Sequence, residues 1–366
     1  MRWAFAVIVG LHGLIHLMGF AKAFGLADLP QLSQAISKPM GLLWLAACVL
    51  SLAAVVTLFV RPQIWWILGA AAAVTSQIAI FSAWQDARFG TIANLLLLAG
   101  AAYGYLTQGP TSFAAEMKRE LGPRLASSLE APLVQEADLA PLPDPVQRYL
   151  RLVGVVGQPR VRNYALRFSG RIRGGPEDRW MPFVATQQSF TAPPARFFLM
   201  RARMRGLPVH AFHRLDGGHA TMRVRALGAI PVADARGEVM DQAESVTLLN
   251  DMCLLAPGTL LDPALTWEAI DARTARVRLE HGGHSVSATL HFDARGLLRD
   301  FVSDDRYQID PGGGAPRKLR FSTPVTAYAR FGSHYLASHA EGRWHAPEGE
   351  YAYGEFEVLD AAFNVR

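Results

Sequence analysis

The chain has 366 residues, 51% of them hydrophobic, with a formal net charge of +5. That length suffices for two domains, and two cysteines, Cys48 and Cys253, leave no disulfide framework that would identify a compartment. The distribution of charge excludes one uniformly solvated domain: residues 1–110 hold only seven charged side chains, Arg2, Lys22, Asp28, Lys38, Arg61, Asp86 and Arg88.

Crossing the hydrocarbon layer takes about 20 mostly apolar residues. Four segments approach or meet this, Trp3–Ala21, Met40–Val60, Ile64–Trp84 and Phe89–Leu106, and the last three carry no charge. Trp3, Trp44, Trp65, Trp66, Trp84, Tyr103 and Tyr105 fall mostly near segment ends, as amphipathic rings do at headgroup depth. The links Arg61-Pro62-Gln63 and Gln85-Asp86-Ala87-Arg88 are short and predict antiparallel neighbours, and Gly69–Ala73 and Gly100–Ala102 allow close helix approach. A secretory signal with cleavage at Ala21-Lys22-Ala23 is the rival reading of the first segment; the long core, two histidines and the lysine argue against it. Four spans put the N-terminus and the rest of the chain on one side. Arg2, Arg61, Lys118, Arg119 and Arg124 there, against Lys22, Lys38 and Arg88 opposite, predict a cytoplasmic C-terminal domain.

His12 and His16 in the first span lie four apart and share a helix face. Ionisable groups at membrane depth face a protein interior or a water-filled cavity. The other spans supply no further histidine, so the pair reads as interhelical hydrogen bonding, with a metal or haem site and a proton relay as alternatives. Asp86, Arg88, Thr91 and Asn94 read as an interfacial cap on the fourth helix.

Residues 108–143, punctuated by Pro110, Pro123, Pro132, Pro141 and Pro143, read as a Pro-rich linker containing one short helix, Ser112–Leu121. Asp144-Pro145 opens a helix over Val146–Val153. Beyond Gly157 the period shortens to two. Tyr164–Arg173 sets Tyr164, Leu166, Phe168 and Ile172 against Arg167, Ser169, Arg171 and Arg173. Arg196–Arg205 sets Phe198, Met200 and Met204 against Arg201, Arg203 and Arg205, and Thr221–Ala226 sets Met222 and Val224 against Arg223 and Arg225. Further strands are predicted at Thr274–Glu280, His284–Phe292, Leu297–Gln308, Leu319–Tyr328, His334–His345 and Tyr351–Asp360. The intervening turns are Gly282-Gly283, Ala294-Arg295-Gly296 and Gly312-Gly313-Gly314. One helix, Asp241–Leu255, interrupts the series and ends at Pro257-Gly258. The predicted fold class is a four-span membrane helical bundle, residues 1–107, plus an α+β domain, residues 144–366. The latter is a curved antiparallel sheet or half-barrel with one packed helix on its concave side.

No P-loop, dinucleotide fingerprint, nucleophile elbow or paired Cys-x-x-Cys occurs. Asp304-Asp305-Arg306-Tyr307 reads as a structural ion pair rather than a catalytic carboxylate. His210 with His213, and His281 with His284, lack acidic or thiol partners nearby in sequence for zinc. Charge is segregated: residues 148–225 hold fifteen arginines and three acidic residues, a net of +12, and residues 226–366 hold thirteen basic and twenty acidic, a net of −7. The arginines alternate along three strands read as adjacent, which places them on one sheet face. Arg171, Arg173, Arg201, Arg203, Arg205, Arg223 and Arg225 are accordingly the candidate site for anionic lipid headgroups, and a solvated face balanced by the acidic half is the alternative.

Four stretches, LHGLIHLMGFAKAF from Leu11, WQDARFGTIANLLLL from Trp84, DPVQRYLR from Asp144 and ESVTLLNDMCLLAPGTLLDPALTWEAID from Glu244, resemble a bacterial family of uncharacterised four-span membrane proteins with a C-terminal β-rich domain of unknown function. The strand pattern with its inserted helix is more distantly similar to lipoprotein-carrier half-barrels, in which a curved sheet encloses an acyl chain, a likeness of fold alone. The resulting expectation is a multi-pass protein of the bacterial plasma membrane whose β domain binds membrane lipid or another amphipathic ligand, with no catalytic residue, no cofactor and no nucleic-acid partner. The alternatives are a haem- or metal-dependent redox enzyme using His12 and His16, and a protein-docking or signalling scaffold.

Overall fold

The computed structural model describes residues 2–126, 131–309 and 314–366, and the chain divides into two compact units, Met1–Glu116 and Met117–Arg366. Most of the turn expected at Gly312-Gly313-Gly314 lies outside the described residues.

The first unit is helical: α1 (Arg2–Ile15), α2 (Leu17–Ala23), α3 (Lys38–Val60), α4 (Trp65–Ser82), α5 (Trp84–Ala87) and α6 (Gly90–Gln108). Four helical segments are long and apolar enough to cross a membrane: Arg2–Ala23, which joins α1 and α2, Lys38–Val60, Trp65–Ser82 and one within Gly90–Ala126. Small side chains set their spacing. A Cβ on Gly13 would press on Ser51 of α3, and one on Gly19 would overlap the Trp44 ring, so no larger residue is accommodated at either crossing.

The second unit is reached through α7 (Phe113–Ala126), which contains the division between the units, and begins its β-rich part after α8 (Asp144–Leu152). Strands β1 (Asn163–Ile172), β2 (Met181–Thr191), β3 (Pro194–Met204), β4 (Leu207–Asp216), β5 (His219–Ala226) and β6 (Ile230–Arg236) form an antiparallel meander. Helix α9 (Glu238–Leu254) follows. The chain then continues through β7 (Leu265–Asp271), β8 (Thr274–His281), β9 (His284–Phe292), β10 (Leu298–Ser303), β11 (Tyr307–Gln308), β12 (Arg317–Lys318), β13 (Arg320–Ser322), β14 (Val325–Phe331), β15 (His334–Ala346) and β16 (Gly349–Phe363). The main sheet runs β6-β5-β4-β3-β2-β1-β16-β15-β13-β10-β9-β8-β7, with β14 on β15, so it is open rather than a closed barrel. Strands predicted over Leu297–Gln308 and Leu319–Tyr328 are each divided in two.

The sheet curves around α9, which touches β4, β5 and β6 at one end of the strand order and β9 and β10 at the other. At the tips, the β4–β5 turn at Gly218 and the β8–β9 turn at Gly282 meet Cα to Cα, a closeness open only to residues without a Cβ, and both have positive φ (83° and 59°). Almost every residue of α9 from Met240 to Leu254 is buried, which fits a helix surrounded by sheet. Val246, Leu249 and Cys253 join a core with Tyr149 and Leu150 of α8, Val277, Leu290 and Phe301. The second half of the segment expected as a linker enters this core as well. Val134, Leu139 and Leu142 are buried there, and Val134 N–H donates to Gln158 O at 2.9 Å.

The three arginine-bearing strands are not neighbours. β2 lies between β1 and β3, and β4 between β3 and β5. Both were missed because their alternation is broken: β2 carries the polar run Gln187-Gln188-Ser189, all buried, and β4 mixes Phe212 with His210 and Arg214. Rows of arginine are therefore about two strand spacings apart, roughly 10 Å, and repel less than directly opposed rows.

Candidate functional site

Between the meander and α9 lies a cavity of about 810 Å³. Its apolar wall comes from the inward-facing alternate positions of the strands: Phe168 of β1, Met200 and Ala202 of β3, Ala211 of β4 and Met222 and Val224 of β5. Flexible methionine thioethers among small alanines make a wall that can repack around an irregular apolar ligand.

Charge enters this wall at one place. Arg196 occupies the same inward phase of β3 as Phe198 and Met200, and its guanidinium meets two carboxylates from one face of α9, seven residues apart. Its Nε donates to Asp251 Oδ2 at 2.7 Å, Nη1 to Glu244 Oε2 at 3.2 Å and Nη2 to Gln187 Oε1 at 3.1 Å. Gln187 Nε2 also donates to Asp251 at 2.7 Å, and His213 Nδ1 lies 3.0 Å from Glu244 Oε1. Arg196 sits over the Phe198 ring at 5.0 Å. Arg196, Glu244 and Asp251 are each less than a tenth exposed. Burial alone would raise the Glu244 carboxyl. The hydrogen bond and charge of His213, with the charges of Arg196 and Arg306, hold it at about 2 instead. The cluster is thus an ionised, hydrogen-bonded floor in an otherwise apolar chamber, and it satisfies itself internally.

The predicted arginines are distributed differently. Register places Arg171 and Arg203 in one row through Pro182, and Arg201 and Arg225 in another through His210, so these four share the outer face. Arg223 shares that face beside Phe212, over whose ring it lies. Acidic residues flank the rows: Arg171 makes a two-pronged pair with Glu355 at 2.7 and 2.5 Å, and Asp234 stands opposite Arg223. Arg201, Arg203 and Arg205 are exposed, the last in the β3–β4 turn with φ 51°. Arg173 departs from the set. It lies past the end of β1, donates to Ala352 O at 2.8 Å and borders the cavity.

Other sequence candidates resolve into local structure. Residues three apart on a strand point to opposite faces, so His213 faces the cavity while His210 faces outward; His281, at the end of β8, lies 3.2 Å from Ser245 Oγ of α9. Asp304 pairs with Arg320 at 2.8 Å, and Asp305 accepts from the Ser287 N–H and hydroxyl at 2.9 and 3.0 Å. In the helical unit His12 Nε2 lies 3.0 Å from both Ser76 Oγ and Asn94 Oδ1, and His16 Nε2 lies 2.7 Å from Ser76 Oγ. Asn94 donates on to Gln77 at 3.0 Å and Gln77 to Thr91 at 3.2 Å, so Thr91 and Asn94 belong to a buried interhelical network. Among the described residues there is no group of three or more His, Cys, Asp or Glu side chains able to hold a metal ion.

Arg196, Glu244 and Asp251 were not singled out from sequence, although signals were present, and His213, weighed only as a zinc ligand, finds its acidic partner in Glu244, 31 residues on. Arg196 is a charge in phase with apolar neighbours, and Glu244 and Asp251 are the i, i+7 acids of an apolar helix.

Four helices long and apolar enough to span a membrane, and an open, curved antiparallel sheet around one helix and a cavity, define an α+β protein compatible with a place in the membrane. The chain belongs to the family of unknown function DUF6544, whose profile matches residues 132–356. Among solved structures it is similar to a DUF1329 family protein from Desulfovibrio piger, at 11% identity and a TM-score of 0.34, over 62% of this chain and 94% of that one. It is also similar to a putative outer membrane lipoprotein-sorting protein domain from Vibrio parahaemolyticus, at 10% identity and a TM-score of 0.29, over 55% of this chain and 85% of that one. Both likenesses are slight. No curated protein matches the chain.

Proposed function

We propose that the β-rich unit is a membrane-tethered receptor for a lipid or other amphipathic ligand, on a four-span protein of the bacterial plasma membrane with both termini cytoplasmic. The cavity carries this reading. Its volume of about 810 Å³ falls within the roughly 300–1,000 Å³ usual for small-molecule sites, and such sites combine a mostly apolar wall with a few placed polar groups. No carboxylate of the floor is arranged as a free acid or base, because Arg196 and His213 occupy Glu244 and Asp251. This supports binding over hydrolysis. The exposed Arg201, Arg203 and Arg205 complement an anionic leaflet, where each basic residue contributes on the order of 1 kcal/mol.

Native mass spectrometry of the detergent-purified full chain tests the cavity directly. A lipid-mass adduct is expected, and its weakening in Met200→Trp, which narrows the chamber beside Phe168, while folding is retained. A wild-type protein with no adduct after mild extraction, or an adduct unaffected by Met200→Trp, overturns the reading. Reporter fusions after Gln63 and Thr111 test orientation, with both expected to report the cytoplasm.

A further inference from the structure

We infer that the cavity selects amphiphiles with an anionic headgroup and that Arg306 binds that headgroup; this rests on the lipid-receptor reading above. The arginines that border the chamber differ in how far their charge is already engaged. Arg196 spends its donors on Asp251, Glu244 and Gln187. Arg306, in the β10–β11 connection, borders the same chamber, and its field reaches Glu244. It makes no ion pair with a described residue. Its guanidinium lies 4.1 Å from the Phe321 ring centroid and 5.6 Å from that of Trp344, and its Nε, shielded from solvent, has no hydrogen-bond partner among the described residues.

Stacking on two aromatic faces orients a guanidinium without neutralising it. A buried N–H left without an acceptor is costly, and the cost disappears when a ligand oxygen supplies one. The planar fork of arginine matches the two oxygens of a carboxylate or phosphate. An acid in this position keeps its tail in the chamber beside Met200 and Phe168, which also border it, so one molecule meets both demands. A zwitterionic or neutral headgroup leaves the Arg306 charge uncompensated. A cationic one is opposed by it.

The test uses the full chain in amphipol, with cis-parinaric acid and its neutral methyl ester as fluorescent probes. Wild type is expected to bind the acid more tightly than the ester. Arg306→Met should weaken acid binding about ten- to hundredfold, the range of a charge-assisted hydrogen bond, and leave ester binding unchanged; Arg306→Lys should fall between. Met200→Trp, which narrows the chamber, should weaken both. Displacement of the acid by lysophosphatidic acid, but not by inorganic phosphate, is expected from a site for an amphiphile; displacement by inorganic phosphate alone points to a free-anion site and overturns the inference. If acid and ester bind equally and Arg306→Met changes neither, the inference fails while the lipid-receptor reading stands. If wild type binds neither probe, both fail.

Discussion

Strand β3 carries Arg196 and, five and seven residues further on, Arg201 and Arg203. Strand parity sends the first inward and the other two outward. The inward arginine is locked among Asp251, Glu244 and Gln187, and the outward pair is exposed to solvent. One residue type on one strand is thus an internal structural partner or a surface charge depending on a single register step. Composition and local charge density do not reveal which.

Truncation separates the two faces most sharply. Arg196→Met leaves two buried carboxylates without their counter-charge and is expected to cost about 3–5 kcal/mol, whereas Arg201→Gln should stay within about 0.5 kcal/mol. Urea denaturation in detergent, followed by signals of the β-rich unit, measures both. Removing the acids as well, in Arg196→Met with Glu244→Gln and Asp251→Asn, should recover much of the loss, because the penalty comes from stranded charge. Equal effects of Arg196→Met and Arg201→Gln would break the distinction.

Acid titration reaches the inner face through Glu244. Glu244 is held at about 2, below its ordinary 4.5, so its contribution is present above 4.5 and is lost as pH falls through 2. The amount at stake is about 3 kcal/mol, taking about 1.36 kcal/mol per unit. Glu244→Gln should flatten that acid limb. Asp300 behaves with the opposite sign: burial raises it to about 6 against hydrogen bonds from the Phe301 and Thr323 N–H groups. Its folded form therefore holds a proton that the unfolded chain releases near 4, and stability falls as pH rises from about 4 to 6. Asp300→Asn should remove that descent and leave the Glu244 limb intact.

A smaller contrast comes from neighbours on β1. Gly170 is in the inward phase, and a Cβ there would overlap Glu355 O and lie 2.7 Å from the Phe183 ring. Gly170→Ala should cost about 1–3 kcal/mol, and the adjacent outward Ser169→Ala well under 1 kcal/mol. Thermal melts of the two variants check this.

The spans, the β character of the C-terminal half, its single interrupting helix and the outward phase of Arg171, Arg201 and Arg203 were legible because each depends on periodicity within one segment. What depends on partners was not. Gln187 and Gln188 look like loop residues until Arg196, Asp251 and Asn163 satisfy them inside the fold. The placement of β2 and β4 between the arginine strands could not be read from any one segment. Arg196 went unremarked for the same reason: within its strand it is one more arginine, and only α9 supplies the carboxylates that make it internal.

The meeting of Gly218 with Gly282 gives the chamber a mechanical property. Turns near the two ends of the strand order, β4–β5 and β8–β9, come together there without a strand ladder, so the sheet has the form of a split cuff. Spreading it breaks no backbone hydrogen bond at the seam. A side chain at either glycine acts as a permanent wedge, holding the cuff ajar even when nothing occupies it.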